Sequence, residues 1–109
     1  MSITLTISNP SREELRMMSI PVATEAAFRN FWQTGSSELG LTWVPLFDIG
    51  IEITKDDVPE VIEELKKLDF WAKKNFPHQQ EIMQMHDRLK RMIEEIPKIV
   101  SEGNNVFIG

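Results

Sequence analysis

Gly50-Ile51-Glu52-Ile53-Thr54-Lys55-Asp56-Asp57-Val58-Pro59-Glu60-Val61-Ile62-Glu63-Glu64-Leu65-Lys66-Lys67-Leu68 contains both periods on which a fold class is read. Ile49, Ile51 and Ile53 alternate with Gly50, Glu52 and Thr54, the period of two that marks a strand with one buried face. Beyond Lys55 the period changes. Val58, Val61, Ile62, Leu65, Leu68 and Ala72 recur at spacings of three and four, which predicts a helix with one apolar stripe. Asp56 or Asp57 is placed to cap that helix, and Pro59 stands in its first turn, where a missing N–H costs nothing. Acidic Glu60, Glu63 and Glu64 lie toward the positive end of its dipole, and Lys66, Lys67, Lys73 and Lys74 lie toward the negative end. Asn75-Phe76-Pro77 ends it.

Working back from this stretch, Leu41 to Phe47 contains β-favouring Thr42, Trp43 and Val44, so a strand is expected there. Pro45 places it at an edge or a bulge. Ser19-Ile20-Pro21 predicts a helix start, with Val22, Ala23, Ala26, Ala27, Asn30 and Phe31 along one side and an end near Trp32, closed by Gly35-Ser36-Ser37. Ile3, Leu5 and Ile7 alternate with Thr4 and Thr6, which makes Ser2 to Ser8 a strand. Asn9-Pro10-Ser11 reads as a turn, and Ser11 with Glu14 has capping-box spacing before a brief helical turn through Leu15 to Met18.

Working forward, a long helix is expected from Pro77 to Glu102, with Ile82, Met85, His86, Leu89, Met92, Ile93, Ile96 and Val100 on one face. Pro97 either kinks its last turns or ends it near Ile96. After Gly103-Asn104-Asn105, the apolar residues Val106-Phe107-Ile108 either pair as a last strand or fray. The predicted fold is α+β: a small, mostly antiparallel sheet packed against two or three helices, with residues 1–109 as one domain.

The 109 residues are 41% hydrophobic and 27% charged, a composition of globular domains and not of disordered chains. There is no cysteine, which removes disulfides and thiolate chemistry. Met1 to Ser8 has neither the basic start nor the apolar run of a signal peptide, and no stretch approaches a membrane span, so a cytoplasmic location is expected. The net charge of −5 argues against a nucleic-acid partner, whose phosphates call for clustered Lys and Arg.

No catalytic motif emerges. The five glycines form no phosphate loop, and no serine occupies a Gly-x-Ser-x-Gly elbow. His78, Met83, Met85 and His86 have soft-ligand chemistry, but two histidines eight positions apart do not form a metal set. His86 reads as a partly buried, hydrogen-bonded residue of the apolar stripe. Neither a cofactor nor a metal nor a catalytic residue is expected.

The concentrated feature is charge. Asp48, Glu52, Asp56, Asp57, Glu60, Glu63 and Glu64 face only Lys55 within residues 48–64, a local net of −6 from seven carboxylates and one lysine. Their spacing does not fit a calcium loop. Phe70 and Trp71 lie off the stripe of the same helix, so at least one of them is a candidate for the surface, and Trp71 is taken with the seven carboxylates as a protein-interaction set. Trp32 and Trp43 read as core.

The strand, the Lys55-Asp56-Asp57-Val58-Pro59 segment and the helix Val61-Ile62-Glu63-Glu64-Leu65-Lys66-Lys67-Leu68 resemble the small acidic immunity proteins of bacterial polymorphic and contact-dependent toxin systems, over residues 49 to 72. That resemblance implies a non-catalytic protein that neutralises a basic toxin in the cytoplasm through an acidic surface. Two other readings are open: a structural homodimer or complex subunit, held by Val106 to Ile108 or by the Met-rich helix, and a small enzyme or ligand-binding domain built on His86 and a nearby carboxylate.

Overall fold

In the computed structural model, residues 2–10, 13 and 17–109 are described. Four strands form one antiparallel sheet: β1 (Ser2–Ile7), β2 (Ser19–Thr24), β3 (Ile51–Ile53) and β4 (Val106–Ile108), in the order β2-β1-β4-β3. Among the described residues three helical segments accompany it. The first, α1, comprises Glu25–Ala27, a π-helical turn over Phe28–Trp32, and Gln33–Leu39. The second, α2, is Val58–Asn75, and the third, α3, is Gln80–Ser101. The architecture is the predicted α+β class, with its helices on one face of an antiparallel sheet.

The alternation in β1 places Ile3, Leu5 and Ile7 in the core and Thr4 and Thr6 on the open face. Leu5 pairs with Ile108 and Ile7 with Val106, so the apolar tail is a buried strand and lies centrally, beside β1. On the open face Phe107 lies across the flanking glycines: a Cβ at Gly50 would meet its ring at 2.9 Å, and one at Gly109 at 2.7 Å. Of the two segments considered for a homodimer contact, Val106, Ile108, Met85 and Met92 are buried, whereas Phe107 and Met83 are exposed.

Two segments differ from the sequence reading. Ser19-Ile20-Pro21-Val22 starts no helix; it is β2, with Ile20, Val22 and Ala23 buried and Pro21 exposed. Pro21 is tolerated because β2 is an edge strand, where a missing donor breaks no second ladder. The helix begins instead after Thr24, whose hydroxyl accepts the Ala27 amide at 3.1 Å. Leu41 to Phe47 forms no strand; Val44–Leu46 is a 3₁₀ turn with Pro45 near its start. The β3 alternation is shorter than predicted, since Ile49 lies outside the strand and is exposed. The expected Ser11–Glu14 capping box and the turn to Met18 lie outside the described residues, apart from Glu13, Met17 and Met18.

Gly35-Ser36-Ser37 does not end α1, which continues to Leu39. The stop is Gly40, at φ 67°, and Leu41 donates back to the Ser36 carbonyl at 2.9 Å. Gly35 serves a different purpose. It lies where α1 crosses α2, and a Cβ there would come within 2.6 Å of Leu68 Cδ1 and 2.7 Å of Trp71 Cε3. Phe28, Trp32 and Phe47 fill the space beside this crossing, with ring centroids 6.1 and 6.5 Å apart along the row.

Helix α3 packs along α2 and against β2. It runs through Pro97, which is exposed, while Ile96, Ile99 and Val100 on the inner side stay buried and hold the last turns. Among the described residues no helix is long and apolar enough to cross a membrane.

Replacing Gly35 with alanine is expected to overpack the crossing and destabilise the protein by about 1–3 kcal/mol, the usual cost of forcing volume into a filled core. Urea unfolding of the variant checks this; an unchanged midpoint would show that α1 and α2 are not held as closely as described.

Candidate functional site

The turn before α2 and the helix's first turns carry five of the acidic residues, and hydrogen bonds fix where Asp57, Glu60 and Glu64 point. Thr54 is the capping residue, in place of Asp56 or Asp57. Its backbone N–H and hydroxyl both donate to Asp57 Oδ2 at 3.0 Å, and its side chain accepts the Asp57 amide, a reciprocal capping box. A 3₁₀ turn over Lys55–Asp57 leads directly into the helix.

Two turns on, the half-buried Glu64 acts as a clamp. Its Oε2 accepts the Thr42 amide at 3.0 Å and the Thr42 hydroxyl at 2.9 Å; its Oε1 accepts the Trp43 and Val44 amides at 2.9 and 3.1 Å. In a strand these consecutive amides would alternate between the two edges; here one carboxylate takes all three. Glu60 receives the indole N–H of the half-buried Trp43 at 3.2 Å. Trp43 thus spans the boundary between core and site, whereas Trp32 is fully inside.

The remaining carboxylates are spread more widely. Asp48 accepts from Gln33 at 3.2 Å and lines a groove of about 500 Å³ with Glu25, Arg29 and Gly109. Glu52, on β3, accepts from Asn105 at 3.4 Å. Glu63 pairs with Lys67 one turn along, at 3.4 Å. Asp56 is exposed and, among the described residues, has no hydrogen bond or ion pair. The seven do not form one continuous patch. Glu60, Glu63 and Glu64 share a shallow groove with Lys67, Asp56 and Asp57 lie in the turn just before α2, and Asp48 belongs to a different surface.

Charge and hydrogen bonding separate at this site. Of the seven, only Glu63 has a cationic partner among the described residues; Asp48, Glu52, Asp57, Glu60 and Glu64 are held by amides, hydroxyls or an indole. Neutral donors orient a carboxylate without cancelling its charge.

Trp71 has to be removed from the interaction set. It is only 7% exposed, packed over Gly35 and edge-on to Phe76 at 5.6 Å, with its indole nitrogen buried and unpaired. Its neighbour Phe70 is the exposed ring, at 71%. Spacing along α2 allows either ring to face outward, and α1, longer than expected, decides between them.

His86 lies against a carboxylate that the sequence did not single out. Its Nδ1 is 2.9 and 3.0 Å from the two oxygens of Asp69 on α2, and Lys73 approaches Asp69 at 3.4 Å. Lys73 and His86 also line an open groove of about 310 Å³ with Pro77, Ile82, Met83 and Asp87. Among the described residues no hydroxyl lines it, and the trio links α2 to α3. Among the described residues no group of three or more His, Asp or Glu side chains is placed to hold a metal ion.

No protein-family model, curated protein or solved structure matches this chain.

Glu64→Gln keeps the side-chain volume but gives up the charge and one of the two accepting oxygens. We expect a loss of about 1–3 kcal/mol in urea unfolding, since part-buried amides lose hydrogen bonds to a charged acceptor. Glu63→Gln, on an exposed pair, is expected to change stability by less than about 0.5 kcal/mol. Equal effects for the two variants would contradict the clamp.

Proposed function

We propose that this chain is a non-catalytic protein-binding module whose α2 N-terminal surface, centred on Asp56, Glu60 and Glu63, holds a basic segment of a partner protein. The observation that supports it is the hold of neutral donors on Glu60 and on its neighbours Asp57 and Glu64, which together with exposed Asp56 leaves the first turns of α2 strongly negative. Such a surface costs little to order on binding, because Glu60 and the loop beneath it are already held. Its field accelerates encounter with a positive partner and is screened beyond about 8 Å at physiological ionic strength. The immunity-protein resemblance makes a basic toxin the specific partner we propose. Exposed Lys67 sets the limit of the surface, since beyond it α2 becomes basic.

A labelled oligo-arginine peptide at low salt tests the location of this surface. Asp56→Asn, Glu60→Gln and Glu63→Gln together are expected to weaken binding about tenfold, or about 1.4 kcal/mol. A control with the same charge change on α3, Glu81→Gln, Asp87→Asn and Glu94→Gln, is expected to weaken it far less. If both triples lose affinity equally, net charge alone is responsible and the proposed surface is refuted.

A further inference from the structure

The outer face of α2 changes sign along its length, and its second half carries an exposed aromatic ring. Phe70 is 71% exposed and makes none of the ring contacts that join Phe31, Trp71 and Phe76. Lys66, Lys67, Lys73 and Lys74 stand at the positions four and three before it and three and four after it. Those four positions are the nearest neighbours of a residue on a helix surface, about 5–6 Å away between Cβ atoms. All four lysines are exposed. Lys67 and Lys73 share charge with Glu63 and Asp69 through separations of 3.4 Å, while Lys66 and Lys74 have no ion pair among the described residues.

We infer that Phe70 and its four lysines form a second docking site, which takes an acidic protein segment bearing an apolar side chain. The lysine stems widen the apolar platform around the ring, and their ammonium groups stand at its rim. An apolar centre with a charged rim is the anatomy of a small protein interface, in which an aromatic residue supplies much of the affinity and the rim selects the sign of the partner. Charge complementarity therefore requires carboxylates on either side of the apolar group that covers Phe70.

Two other occupants fit less well. A second copy stacking Phe70 on Phe70 across a twofold axis would bring Lys66 toward Lys74 and Lys67 toward Lys73, like charge against like. An anionic bilayer would gain one phenyl group from this face and meet a protein of net charge −5, whereas stable interfacial helices present a broad apolar side. This site adjoins the acidic surface at the Lys67–Glu63 pair, but Phe70, Lys73 and Lys74 lie beyond it, so either can fail without the other.

The test uses the whole chain and a fluorescent synthetic peptide with glutamates on both sides of a central leucine. Binding is expected, with loss when the glutamates are replaced by lysines. Phe70→Ala, with an unchanged thermal melt, is expected to weaken it about tenfold, and Lys66→Gln with Lys74→Gln to remove most of its salt dependence. The acidic-surface triple variant is expected to bind this peptide at least as well as the parent. Equal binding by Phe70→Ala overturns the inference. So does Phe70-dependent retention on phosphatidylserine vesicles without peptide binding, or Phe70-dependent self-association in sedimentation.

Discussion

One carboxylate ties the helical layer to the loop that leads back toward the sheet. Glu64 accepts three backbone amides and a hydroxyl from Thr42, Trp43 and Val44, a segment some 20 to 22 positions away in the chain. Without an acceptor there, those amides would need water or a strand partner. With it, the loop after α1 lies on the first half of α2, Val44 and Phe47 enter the core, and the Trp43 indole comes within reach of Glu60. The same group that fixes the fold locally adds an uncompensated negative charge to the surface. Hydrogen bonds to neutral donors stabilise and orient a carboxylate while leaving its field to act on whatever approaches.

Much of the architecture was legible because it rests on local periods. The alternations in β1 and in Ile51-Glu52-Ile53, and the stripes of α2 and α3, are each dictated by a single buried face. What sequence could not supply came from distant partners. Ile20 and Val22 alternate as a strand should, but Pro21 between them read as a helix start until an edge position beside β1 gave it a reason to be there. Thr42 to Val44 has strand-forming residues and no strand, because their donors are taken by a side chain from another element. Gly35 resembles a helix stop in isolation; in the fold it is a contact that only glycine permits, against Leu68 and Trp71.

The candidate site divided along the same line. The density of negative charge at the start of α2 is visible in the sequence, whereas its arrangement is not: Asp48 turns to Gln33 on another surface, and Trp71 goes inward while Phe70 stays out. Adjacent residues on a helix differ by about 100° around its axis, so the inward choice depends on where a neighbouring helix crosses. That neighbour was α1, in the part beyond its predicted end. The pairing of Asp69 with His86 joins two helices and had no local signature.

Acids early and lysines late along α2 follow the helix dipole and stabilise the helix itself. Helix stability does not explain an exposed phenyl ring or a carboxylate oriented by an indole, the two features on which the proposed surfaces rest. The most direct test of the account is an amide and indole chemical-shift titration with oligo-arginine peptide, because the Trp43 indole proton is a built-in reporter bonded to Glu60. This resonance and the amides of residues 54–64 are expected to move together and saturate, with α3 unaffected. Shifts spread evenly over acidic positions, or largest near Asp48 or on α3, would contradict it.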